Sequence, residues 1–64
     1  MKTTYDVETD ALYVRFADAP VMESEEVADG VILDFDAEGR IVAFELLDTR
    51  KHLAAGAILP SAAE

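Results

Sequence analysis

The sequence predicts a mainly β, α+β domain: an antiparallel meander sheet of four to five strands with a short C-terminal helix. Three observations lead there. Leu12, Val14 and Phe16 recur at every second position, and so do Val31, Leu33 and Phe35, the period of a strand with one face turned to a core. Breakers separate the runs, with Asp29-Gly30 the strongest hairpin signal among them. A short segment with helix start and stop residues stands only after Leu47.

Lys2 to Tyr5 is short and rich in β-formers, and the polar stretch Asp6–Asp10 has the length of a hairpin connection. In the next strand Leu12, Val14 and Phe16 share one face, while Tyr13 and Arg15 share the other. Ala17–Pro20 breaks the ladder, since Pro20 has no N–H to donate. Val21 to Val27 has the Glu content of a helix, yet it is seven residues between breakers. It reads better as an acidic edge strand, whose charges discourage pairing with another chain. Beyond Asp29-Gly30, Val31, Leu33 and Phe35 fall on one face of a strand. Asp36–Gly39 is a tight turn with Gly39 able to take a positive φ. Arg40 to Leu47 is the last and most apolar strand. Asp48 or Thr49 can cap a helix through Arg50–Ala55, which Gly56 would stop.

A chain of 64 residues makes one domain, here residues 1–55, with 56–64 as a flexible tail. Small domains hold together through disulfides, a structural metal or self-association, and the absence of Cys removes disulfides and thiolate zinc sites. Five Lys+Arg against fourteen Asp+Glu leave a net charge of −9. That balance argues against direct nucleic-acid binding, which needs clustered cations on phosphates, and against an anionic membrane surface. No apolar run approaches the roughly 18 residues of a membrane span, and Met1–Tyr5 lacks the apolar core of a signal peptide. A cytoplasmic location is the expectation. The acidity fits ordinary variation in a small bacterial or archaeal protein, or adaptation to a salt-rich cytoplasm where salt screens dense carboxylates. Two Lys, abundant Asp and many Ala and Val favour the halophilic alternative.

Asp34-x-Asp36-x-Glu38-Gly39 followed by Glu45 matches a calcium loop, with acids at positions 1, 3, 5 and 12 and Gly at 6. An EF-hand needs flanking helices, and both flanks here have strand period. Glu45 lies five residues beyond Gly39, some ~16 Å along a strand, so a ligand ring does not close. The expectation is a hairpin turn with solvated carboxylates. A divalent-cation site on Asp34, Asp36, Glu38 and Glu45 is kept as the alternative. Among the acids, Asp10 beside the apolar strand invites attention, either capping its turn or pairing with Arg15 or Arg40. His52, the only histidine, reads as a solvated surface residue near a helix C-terminus. Neither Ser24 nor Ser61 has a neighbouring His–acid pair, and no glycine-rich phosphate loop exists. No catalytic residue, no cofactor and no enzymatic role is expected. Met22, Phe35 and Phe44, at strand spacing, read as core.

Tyr5-Asp6, Glu8, Asp10–Phe16, Glu25-Glu26, the run from Asp29 through Val42, and Glu45–Asp48 together resemble the domain-of-unknown-function 2283 family over roughly residues 2 to 54. Ala43 and Phe44 stand where the family tends to carry Gly and Ile. The resemblance implies a small bacterial or archaeal domain that usually stands alone. It brings no established activity, substrate or catalytic residue. Similar proteins encoded beside small toxin-like proteins suggest an antitoxin-type partner. The leading expectation is a self-associating protein–protein interaction module, a homodimer. One short helix cannot cover the apolar residues of a sheet face.

Overall fold

The computed structural model describes residues 1–60. Five strands form one sheet: β1 (Lys2–Asp6), β2 (Ala11–Arg15), β3 (Glu23–Ala28), β4 (Val31–Phe35) and β5 (Ile41–Leu46), followed by the helix α1 (Thr49–His52). Every pairing is antiparallel. The order across the sheet is β1-β2-β5-β4-β3. Only β3-β4-β5 runs as a continuous meander; the β1–β2 hairpin docks on the free side of β5. Residues 16–22 therefore cross from the middle of the sheet to its far edge, a departure from a simple meander that follows from composition. The apolar β5 takes the centre, where both edges are paired. The acidic β3 (Glu23-Ser24-Glu25-Glu26) takes an outer edge, where its carboxylates stay in water.

Cross-strand partners share a face, so the register sorts the residues. Beginning at the helix end, the apolar face carries Tyr5, Leu12, Leu46 and Val31 in one row and Thr3, Val14, Phe44, Leu33 and Glu25 in the next. Phe16, Phe35 and Glu23 continue it toward the opposite end. The other face carries Thr4, Tyr13, Arg15, Glu45, Ile32, Asp34, Ser24 and Glu26. Ala43, fully buried, lies there between Arg15 and Asp34. Two bulges interrupt the ladders. Val42 is the extra residue opposite Asp34/Phe35, and its carbonyl accepts from the N–H groups of both Phe16 and Ala17. Val27 is extra opposite Ile32/Val31.

The chemistry of the strands alternates, but their exposure does not. Every residue of β2 and of β4 is half-buried, on both faces. A strand with one face against a core alternates in burial as well as in residue type. Uniform half-burial means that adjacent strands shield each side chain laterally, and no helix or second sheet covers it from above. The buried apolar residues are Tyr5, Val42, Ala43 and Leu46. Extensive contacts between elements join neighbouring strands only, and the helix lies across neither face. The molecule is correspondingly thin, 36 × 27 × 18 Å. Met22 is not core but 66% exposed, because it precedes β3 at the sheet edge, and Phe35 and Phe44 are half-buried.

The helix is shorter than the sequence predicts. It ends at His52, and Leu53 is already extended at ψ 153°. Asp48 does not cap it through its side chain; its backbone is left-handed, φ 48°, a conformation Asp tolerates better than most residues. That turn points Thr49 back at the sheet, where it is fully buried. One turn of helix lies below the length that holds by itself, so its fixed position comes from its contacts with the sheet end. Gly56 has φ 85°, and the Ala57 N–H donates to the Ala54 carbonyl. Leu59 and Pro60 are half-buried. The rest of the predicted tail, residues 61–64, lies outside the described residues.

Candidate functional site

Two features of the sheet stand out: the uncovered apolar face and a polar cluster at the helix end. On the face, the most exposed side chains lie at the end away from the helix, although the bulged Val42 there is 1% exposed. Tyr5 and Leu46 are buried in the row nearest to it, Val14, Leu33 and Phe44 are half-buried in the next, and Phe16 and Ile41 at the far end are 50% and 48% exposed. Met1 and Met22 extend the same apolar end. The middle of this face holds no charged side chain. Its carboxylates, Glu23 and Glu25, stand on the β3 margin, and β1 contributes only Thr3 and Tyr5.

At the helix end Asp10, in a left-handed conformation (φ 56°), ties three segments together. Its carboxylate accepts from the Tyr5 hydroxyl and the Arg50 N–H, and its carbonyl accepts from the Thr49 N–H and hydroxyl. The Thr49 hydroxyl also lies 2.9 Å from the Leu46 carbonyl oxygen. The Tyr5 bond, aided by the Arg50 N–H, holds the Asp10 carboxyl below the usual carboxylate range. The same bond raises the Tyr5 hydroxyl, which gives up its proton less readily while donating it to a carboxylate. Asp10 is thus unusual in its surroundings, as its position suggests, but it pairs with Tyr5 and Arg50 rather than with Arg15 or Arg40. Arg15 instead donates to the Tyr13 hydroxyl and the Ala19 carbonyl.

His52 completes the cluster, and sequence reasoning missed its role. Its Nδ1 lies 3.1 Å from the Asp48 carbonyl oxygen and its Nε2 2.8 Å from that of Asp29. Carbonyl oxygens only accept, so both bonds exist together only in the doubly protonated ring. The Asp48 and Asp29 carbonyls raise the His52 pKa accordingly. The ring rests on Gly30, where an added Cβ would stand 2.8 Å from its Cε1. The signal for this was present as a DG turn and a lone His after the last strand, but their contact spans 23 residues of chain and rests on the β4–β5 pairing, which sets Gly30 beside Leu47.

The carboxylates of the calcium-like motif are scattered by the hairpin. Asp34, on the polar face, accepts from the Ser24 hydroxyl. Asp36 accepts from the N–H groups of Glu38 and Arg40 and pairs with the Arg40 guanidinium. The Arg40 N–H, joined by that of Glu38, lowers its pKa. Glu38 pairs with Arg40 at 3.1 Å, and Glu45 sits along β5 opposite Tyr13 and Ile32. Asp34, Asp36, Glu38 and Glu45 do not converge, and among the described residues no three acidic, His or Cys side chains form a group that could hold a metal. Arg40 and the turn's own N–H groups use the acids that the motif would give to calcium.

Among the described residues no helix is long and apolar enough to cross a membrane. No curated protein and no solved structure matches the chain. The strands, their turns and the first residues of the helix fall within residues 2–50, which match the model of the family described as "Protein of unknown function (DUF2283)", and the chain belongs to that family.

Proposed function

We propose that this protein is a non-catalytic protein–protein interaction module that works through its apolar sheet face and self-associates. The observation that carries the reading is the contrast on β2 and β4 between alternating chemistry and uniform half-burial. A stable domain needs a second layer over such a face, and an uncharged centre with carboxylates along one margin suits a protein surface. An antitoxin-like role would use the same face or the acidic β3 edge against a basic partner. The protein works in the cytoplasm, and its charge suits a salt-rich one.

The test places a charge on each face: Val14→Lys on the apolar side and Thr4→Lys on the polar side. Sedimentation of Val14→Lys is expected to show lost association, and Thr4→Lys is expected to match the parent. Equal behaviour of the two removes the reading. Thermal melts with calcium or EDTA at fixed ionic strength address the cation-binding alternative, since a specific site raises the midpoint by mass action. The salt-adapted reading expects the midpoint to climb from millimolar to molar KCl, and similarly in NaCl, as the Debye length falls from about 30 Å at 0.01 M to about 3 Å at 1 M. A flat response removes it.

A further inference from the structure

We infer that the apolar face is covered by a second copy of this chain, the two sheets stacked face to face about a two-fold axis that runs along β5. This rests on the reading of the face as a docking surface and adds what docks there and in which orientation. A single-layer sheet needs its cover whenever it is folded, and another copy is the partner present at every moment of folding. The area is adequate. The broad side of the molecule, helix and turns included, measures 36 by 27 Å, the same order as the ~800 Å² per partner that stable interfaces bury.

Charge then selects the orientation. Two-fold axes lying between stacked sheets run either along the strands or across them. An axis across the strands sets each β3 on the partner's β3 and brings Glu23 and Glu25 of both copies together in a drying interface, where like charges repel strongly. An axis along β5 sets each β3 over the partner's β1, which presents Thr3 and Tyr5 on that face and no acid. The face is therefore self-complementary in one orientation only. That orientation also lays the bare ends on each other, so that Phe44 meets its counterpart, Phe16 meets the partner's Phe35 and Leu33 meets the partner's Val14, and the aligned packing of twisted sheets keeps the strands within about 30°.

The chain has no Cys, so single thiols report the geometry. Sedimentation at tens of micromolar in 0.1 M and in molar KCl is expected to give a species of twice 7.0 kDa. Thr3→Cys and Glu25→Cys, both at the sheet margins, are each expected to resist self-coupling by a bismaleimide of about 10 Å, the spacing of stacked sheets. Mixed, they are expected to couple to each other. Self-coupling of Glu25→Cys overturns the axis, and a dimer in which no pair couples overturns the stacking. A 7.0 kDa species overturns the inference altogether, and an apolar dye then separates it from the reading beneath it. A monomer that binds the dye keeps a docking surface for another protein, whereas one that does not has covered the face itself.

Discussion

The two ends of the sheet are built on different physics. At the helix end, hydrogen bonds between segments far apart in sequence fix the chain: Asp10 to Thr49 and Arg50, and His52 to Asp29. Tyr5, Leu46 and Thr49 are buried there. At the opposite end the side-chain bonds are local, within the Asp36–Arg40 turn and from Arg15 to the Ala19 carbonyl, only main-chain bonds join distant segments, and Phe16, Met22 and Ile41 are open to solvent. The contrast teaches where a five-stranded sheet with one helical turn finds its stability. One end is closed by polar contacts between strands and turns, and the other leaves apolar side chains in water.

The largest expected effect breaks the contrast at two glycines with nearly the same backbone. Gly30 has φ 77° and Gly39 φ 79°, so alanine is strained at both by about 1 kcal/mol. At Gly39 nothing lies within 4 Å of the added Cβ, whereas at Gly30 it meets the His52 ring and the Leu47 carbonyl oxygen. Gly30→Ala is therefore expected to cost about 2 kcal/mol and Gly39→Ala about 1, read from urea midpoints at one protein concentration. With His52 already replaced by Ala, Gly30→Ala is expected to cost less, since the ring no longer crowds the new methyl. Equal costs in the parent background mean that the ring does not hold this end.

These glycines also mark what could be read from the chain. Both positive-φ turns, the acidic edge and the apolar face were legible, because each depends on neighbours in sequence: a DG pair, a run of Glu, a period of two. The strand order was not. It depends on β5 outcompeting β3 for the place beside β2, and that pairing brings Asp10 to Thr49 and Arg50. The calcium-like motif failed as a site for a related reason. Its spacing is that of a ligand ring, but the strand period of Val31–Phe35 and Ile41–Leu46 pulls Asp34 and Glu45 away from the turn. Asp10 was recognisable as an acid beside an apolar strand, while its partners Tyr5, Thr49 and Arg50 came together only through the hairpin and the left-handed turn at Asp48.

Thr49 sharpens the comparison at the next level. Its buried hydroxyl, with one hydrogen to donate, lies 2.9 Å from both the Asp10 and the Leu46 carbonyl oxygens and shares that donor between the β1–β2 turn and the end of β5. Thr49→Val keeps the shape and removes that donor, at an expected cost of about 1–2 kcal/mol. Amide exchange of Leu53, whose N–H donates to the Thr49 carbonyl, is expected to accelerate with it, while the amide of Gly39 is expected to exchange as before. Acceleration at both ends would mean that the sheet opens as one unit and that the two ends are not separate.

The smallest effect is the most specific, and it concerns pH. His52 keeps both carbonyl bonds only as the doubly protonated ring, and its folded pKa stands above the ordinary 6.5. A group raised on folding adds stability that is complete below its unfolded pKa and disappears as pH rises through its folded one. Asp10 has the opposite sense. Its folded pKa lies below 3.8, so its contribution is complete above that value and is lost as pH falls through the lowered one. The helix end is therefore expected to be tightest between about pH 4 and 6, and to loosen modestly as His52 titrates on the alkaline side. Because the ring is solvent-exposed, water takes over part of the lost bonding and the shift in melting midpoint stays small. The titration should be visible in the NMR shifts of the Gly30 amide, whose Cα the ring approaches, and absent at Gly39. His52→Gln, which cannot titrate, is expected to abolish that pH step while leaving the acid-side loss in place. A Gly30 amide that ignores pH between 5 and 9 in the parent protein would detach His52 from the Asp29 carbonyl, and with it the reason the two ends differ.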